Sequence, residues 1–426
     1  MKGGIYSMVL RTIYLICLLI GFSAFGQKEY AKTILDTLCS PRYHGRGYVE
    51  NGDIKAAQFL VEELERIGVS SFPGKQYTQD YLLGVNTFPG DIEVKLGEEV
   101  LKPGIDYLVN AISGPAEGEF DLVEINEENY FTTFGGKINF SLMDPSQTIF
   151  AFNFMNAERE LHKNVELLSY EATKYFPAIW VTNQKMMYTV GRKHSNYPLI
   201  SIDSAAYKKV DKVTLKVHNK YIPNYISKNV IGYLPGKKKK KFIVFSAHYD
   251  HLGRMGKDTY FPGANDNASG VAMLLSIAKF FKANPPKYSI VFCFFGGEEA
   301  GLVGSKFFVE HPYFPLKNVR FVINVDIMGG ATNGITVVNA NAHEKQYDKL
   351  VDLNEEHQLI KEVKKRGQTS NSDHYFFSEM GVPAFFIYSM GDVKNYHDIF
   401  DTAENTPLDK FDEVQELLQL FASKIK

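Results

Sequence analysis

From about Asn229 onward, short apolar runs alternate with amphipathic stretches, and acids and histidines gather where the apolar runs end. Segments 242–247, 290–295, 322–325, 335–338 and 384–388 read as strands, while 269–282, 304–310, 344–358 and 372–380 carry helical spacing. Strands that alternate with helices build a mixed, mostly parallel sheet with helices on both faces. Such a sheet binds ligands at the carboxyl ends of its strands. The fold class expected is therefore α/β.

The rest of the chain divides around this unit. Residues 28–68 have apolar side chains at helical spacing, with Gly68 as a stop, so 27–89 reads as the leading part of the main domain. Residues 90–220 are rich in aromatic and alternating runs broken by Gly, Pro and Asn, such as 150–154 and 178–181, which predicts a β-rich insert. The main domain then resumes over 221–426. Lys237–Lys241 is a run of lysines that reads as a solvated turn before a strand.

Residues 1–26 read as an export signal: Lys2 and Arg11 precede an apolar run over 12–25, and Ala24-Phe25-Gly26 suits cleavage before Gln27. The run is shorter than the roughly 20 residues of a membrane-spanning helix. The expected location is therefore periplasmic or extracellular, with no membrane association after cleavage. Cys39 and Cys293 are then the remaining cysteines, too few for a disulfide framework, and Cys293 lies in an apolar run as a buried thiol would. A formal net charge of -2 offers no basic field for nucleic acid.

The candidate site follows from which residues fall at the strand ends. The first strand runs into His248-Tyr249-Asp250-His251, and Asn265-Asp266-Asn267 precedes the helix opening at Ser269-Gly270. A second strand leads into Gly297-Glu298-Glu299, a third ends at Asp326, and a later loop carries Tyr396-His397-Asp398. Carboxylates crowded at the mouth of a buried sheet repel one another and are costly to desolvate unless something pairs them. A divalent cation answers both problems. Imidazole mixed with carboxylate, without thiolate, suits catalytic zinc, with cobalt or manganese as possible substitutes. Two histidines and three carboxylates exceed what one open tetrahedral site takes, but two ions that share a carboxylate use them all.

The run 247–253 with 265–270, Gly297-Glu298-Glu299, 324–326, Ser372-Asp373-His374, Gly381-Val382-Pro383, Tyr396-His397 and Asp401-Thr402 resembles, in this order, the M28 family of zinc peptidases, which includes secreted bacterial aminopeptidases. His44-Gly45-Arg46-Gly47 resembles the leading segment of that family. The resemblance implies the zinc-exopeptidase, phosphorylase/hydrolase-like sheet and two Zn2+ ions per chain. His248 and Asp326 would hold one ion, Glu299 and His397 the other, and Asp266 would bridge them. Glu298 would take a proton from the attacking water held between the metals and pass it to the leaving amine. Asp250 would accept the second ring N–H of His248, and Tyr396 would polarise the substrate carbonyl or simply pack. His251 is left outside the ligand set as a supporting residue, and Asp373 and His374 are expected to position the site. The resemblance also implies a cis peptide between Asp266 and Asn267.

The substrates implied are the N-termini of peptides or proteins. Alternatives stay open: a single-zinc enzyme of the glutaminyl cyclase kind, a carboxypeptidase or dipeptide-releasing variant, or a non-catalytic receptor-like module. Relatives often carry Thr or Ser and then Pro after the last ligand histidine, whereas Asp398-Ile399-Phe400 follows His397 here, and Asp398 is a candidate for binding the substrate amine. The insert resembles a protease-associated domain at 176–180 and 197–201, and would cap the site. Oligomeric state is not readable.

Overall fold

A computed structural model describes residues 26–129 and 143–426; the expected export signal lies almost wholly outside the described residues. Two eight-stranded sheets dominate. In the first, the order is Thr78–Thr87, Lys220–Leu234, Tyr288–Phe295, Lys238–His248, Val319–Asp326, Ala384–Met390, Gly334–Val338 and Val363–Lys365. The four strands from Tyr288–Phe295 to Ala384–Met390 run parallel, and antiparallel pairing flanks them on both sides. This is the mixed, parallel-centred α/β sheet that the sequence pattern predicts.

The central strands are apolar throughout because both faces are covered. Every residue of Tyr288–Phe295 is buried. Ile243, Phe245 and Ala247 point into a core shared with helices 26–38, Gly52–Ile67, Ser269–Ala283 and Phe411–Lys424. Phe242 and Val244 point the other way, toward Phe308 and Phe377 of helices Val303–Glu310 and His374–Glu379. The two-residue alternation of a strand assigns each side chain to one helical layer. Cys39 and Cys293 are both buried and free. Among the described residues no helix is long and apolar enough to cross a membrane.

The second sheet is drawn from residues 92–217, in the order Glu99–Val100, Ile92–Leu96, Lys212–Val217, Ala116–Asn126, Thr148–Asn153, Ala178–Thr182, Leu199–Asp203 and Tyr107–Val109. Its middle is also parallel, and one face is covered by helix Arg159–Ala172, which a purely β-rich reading does not anticipate. Val165 is fully buried there, with Leu161 and Leu168 packed against the same cluster. The other face closes over Leu252, Met255 and Phe261, which belong to the loop between His248 and Asp266.

The lysine run departs from its expected turn. The strand begins at Lys238, because pairing of Lys238 with Tyr288 carries the ladder out past the covered part of the sheet. Lys238, Lys239 and Lys240 stay exposed there.

Candidate metal centre

The candidate ligands stand at the carboxyl ends of the parallel strands. His248 and Asp326 are the last residues of two neighbouring strands. Glu298 and Glu299 follow Tyr288–Phe295 after Gly296 and Gly297, and His397 lies in the loop beyond Ala384–Met390. Asp266 sits in the tight segment Ala264–Ala268 that opens helix Ser269–Ala283. The Asp266–Asn267 peptide is cis. Asn267 is locked in place: its Oδ1 accepts the N–H of Gly270 at 2.9 Å and of Ile327 at 3.3 Å, and its Nδ2 donates to the Val325 carbonyl at 3.2 Å. A Cβ on residue 270 would lie 2.2 Å from that Oδ1, so glycine is required by the close approach.

The two histidines converge on Asp266. Its Oδ1 is 3.2 Å from His248 Nε2, and its Oδ2 is 3.2 Å from His397 Nε2. His248 Nε2 is also 3.3 Å from Asp326 Oδ1, and His397 Nε2 is 3.2 Å from Glu299 Oε2. Ligand atoms of His248, Glu298 and Asp326 lie within 4.8 Å of one another, as do those of His251, Asp266 and Glu299.

These residues fit divalent ions. Atoms bound tetrahedrally at about 2.0–2.1 Å stand about 3.3 Å apart along each edge, close to the separations seen. Asp326 Oδ1 and His397 Nε2 are buried without a hydrogen-bond partner, which is costly unless a further group meets them. The donor set is nitrogen and carboxylate oxygen, as zinc takes in catalytic sites.

The supporting contacts differ from expectation in several places. His248 Nδ1 donates to the main-chain carbonyl of Asp250 at 3.1 Å, while the nearest Asp250 carboxylate oxygen is 3.8 Å away. Asp250 thus fixes the ring tautomer through its backbone. Its carboxylate instead accepts the N–H of Glu298 at 3.1 Å, and burial pushes it up to about 8. Asp398 is not free to take a substrate amine. Its carboxylate accepts the N–H of Phe400 at 2.9 Å and pairs with Lys185 at 2.7 Å. Tyr396 stacks on His397, with ring centroids 3.9 Å apart, and burial raises its hydroxyl so that it stays a proton donor. Asp373 and His374 are both buried; the His374 ring tilts against Phe386 at 5.3 Å.

Further support comes from Asp401, Arg46 and Ser372, whose contacts the sequence does not assign, and from His251, which is expected to support the site. Asp401 accepts the N–H of Asn265 at 2.7 Å and of Asp266 at 3.0 Å. Arg46 is completely buried and donates to the carbonyls of Tyr249 (2.8 Å), Pro262 (2.5 Å) and Gly263 (2.6 Å). It therefore ties the His248 strand end to the segment that presents Asp266. His251 Nδ1 meets Glu299 Oε1 at 2.8 Å. A chain from Ser246 to Asn324 (2.8 Å), Asn324 to Ser372 (2.8 Å) and Ser372 to Asp326 Oδ2 (3.3 Å) orients Asp326. Arg46, Ser372 and Asp401 all lie in motifs noted above; what the motifs lacked was any indication of which backbone groups these side chains meet.

The electrostatics of these side chains are those of crowded acids. Burial opposes charge on His248, yet Asp326 and Glu298 hold its ring well above the usual imidazole range. Burial likewise opposes charge on His397, and Glu299 and Asp266 raise it to about 10. Glu298 is driven well above the carboxylate range by burial, reinforced by Glu299, Asp373 and Asp326.

With this geometry in view, residues 229–422 match the model of Peptidase family M28. This segment belongs to peptidase family M28. Over 234 residues the chain is 28% identical to Aminopeptidase YwaD of Bacillus subtilis, covering 52% of this chain and 50% of the relative. The chain thus spans about half the length of that curated relative. Among solved structures, BSAP, a zinc aminopeptidase from Bacillus subtilis, is 20% identical with a TM-score of 0.67, each chain 93% covered. An aminopeptidase from Aneurinibacillus sp. strain AM-1 is 19% identical with a TM-score of 0.61, again with 93% of each chain covered. At these identities the structural likeness is one of fold, and it extends over both sheets.

Proposed function

We propose that this chain is a two-zinc aminopeptidase that hydrolyses N-terminal peptide bonds. The observation that carries the proposal is the Asp266 carboxylate, with one oxygen beside His248 and the other beside His397. Only a carboxylate has two oxygens to share between ions. His248 and Asp326 would hold one zinc, Glu299 and His397 the other, with Asp266 common to both. When bound, a pair of ions supplies Lewis acidity for the attacking water and the scissile carbonyl. Glu298 accepts the water's proton and returns it to the leaving amine. Its place beside Glu299, with its N–H anchored by Asp250, keeps that carboxyl at the mouth of the ligand cluster. Tyr396 donates its hydroxyl toward the developing negative charge on the carbonyl oxygen.

The names of the family and of similar chains, together with the fit of the donor set to zinc, support this reading. The test is metal analysis with a substrate panel. Two zincs per chain are expected, with hydrolysis of free aminoacyl substrates that is lost on N-acetylation and on chelation. One zinc per chain would favour the glutaminyl cyclase alternative instead. Indifference to acetylation would point to another exopeptidase mode. Glu298→Gln is expected to lower kcat by about 10³-fold while both ions remain bound. Full activity in that variant would remove Glu298 from the chemistry. The proposed setting is outside the cytoplasm, supported by the basic and then apolar leader; N-terminal sequencing of exported protein should begin at Gln27.

A further inference from the structure

The loop holding His397 does not stand on the catalytic sheet alone. His397 adopts φ 55°, the left-handed region that a side chain with a Cβ seldom occupies, so its neighbours must hold it there. Two sets of contacts do so. On its own loop, the Asp398 carboxylate accepts the N–H of Phe400 at 2.9 Å and of Tyr396 at 3.4 Å, bracketing the histidine from both sides. From the second sheet, the segment between strands Ala178–Thr182 and Leu199–Asp203 crosses over. The Tyr188 N–H donates to the His397 carbonyl at 2.9 Å. Lys185 Nζ pairs with Asp398 Oδ2 at 2.7 Å and donates to the Lys394 carbonyl at 3.1 Å. The Tyr188 ring is buried and stacks on Phe261, centroids 4.4 Å apart and planes within 5°, which anchors the crossing segment to the loop below.

We propose that Lys185, with the Tyr188 backbone beside it, is a positioning residue for the metal centre: the second sheet holds His397 in its ligating conformation by gripping Asp398 and the His397 carbonyl. This rests on the two-zinc reading and goes one step further, since it makes one of the two ions dependent on a residue of the segment that joins two strands of the second sheet. The residue that carries it is Asp398, whose carboxylate faces both its own loop and Lys185. In this chain the carboxylate caps its own loop and supplies the partner that a lysine from the other sheet can reach. Lys185 is about half exposed, so the effect is that of a partly screened ion pair acting on a ligand's orientation.

The test is zinc titration of the full chain, starting metal-free, with competing chelators that resolve two affinities. Lys185→Met is expected to weaken one of the two sites about threefold to tenfold and leave the other within twofold. Lys185→Arg, which keeps the cation, should restore wild-type affinity. In an Asp398→Asn background, Lys185→Met should add no further loss, because the partner charge is already gone. Two wild-type affinities in Lys185→Met would overturn the proposal. So would equal weakening of both sites with a matching loss of thermal stability, which marks a general structural role. Wild-type protein that never binds a second zinc would instead sink the two-zinc reading, so the two failures are distinguishable.

Discussion

The two halves of the ligand cluster are built from different material. His248 and Asp326 finish adjacent parallel strands, and hydrogen bonds among Ser246, Asn324 and Ser372 fix Asp326 from within the same sheet. His397 stands on a loop beyond its strand, and its neighbours are loop residues and the second sheet. One half is set by strand register; the other depends on tertiary contacts made by irregular chain. A helix start between them, stapled by Asp401 and Arg46, carries Asp266, the carboxylate proposed to serve both halves.

That contrast can be tested in order of expected size. Asp266→Asn should remove both halves at once, with each zinc affinity falling by more than about 100-fold, whereas His397→Ala should cost one ion and spare the other. Retention of both affinities in Asp266→Asn would mean that the halves are independent sites. Arg46→Met leaves several buried carbonyls unpaired and is expected to lower unfolding free energy by about 3–5 kcal/mol, as read by denaturant titration. Ser372→Ala should weaken only the His248–Asp326 half, by about 10-fold or slightly more. The smallest effect is the pH response of the metal-free protein. His397 is raised from 6.5 to about 10, so folding gains from its charge fully below about pH 6.5 and loses that gain as pH rises through 10. Chelator-treated protein should therefore fall in Tm across that window relative to zinc-loaded protein. Zinc uptake at pH 7 should also release protons, measurable as a calorimetric enthalpy that varies with buffer ionisation. A buffer-independent enthalpy would refute the protonated state of the histidines.

Sequence exposed the half that register controls. An apolar run followed at once by His248, by Glu298-Glu299 or by Asp326 carries its own signal, since strand length and the acid at its end are local. Helix Ser269–Ala283 was equally plain. Helix Arg159–Ala172 was hidden by the aromatic runs around it, although Leu161, Val165 and Leu168 do repeat at helical spacing. The roles of Arg46 and Lys185 were out of reach for a different reason. Arg46 meets carbonyls more than 200 residues away, and Lys185 meets a loop 209 residues on, distances at which no periodicity operates. Asp250 shows the finest limit: its position was legible, but whether its carbonyl or its carboxylate serves His248 is decided by a difference of 0.7 Å, from 3.1 and 3.8 Å.

The closure of the second sheet over Leu252, Met255 and Phe261 has a practical corollary. A truncated chain lacking residues 92–217 would leave that stretch between His248 and Asp266 as a greasy floor open to water, so trimming the molecule to its first sheet should yield insoluble material. Anyone wishing to exchange this lobe for another must supply a replacement lid with the same oily underside.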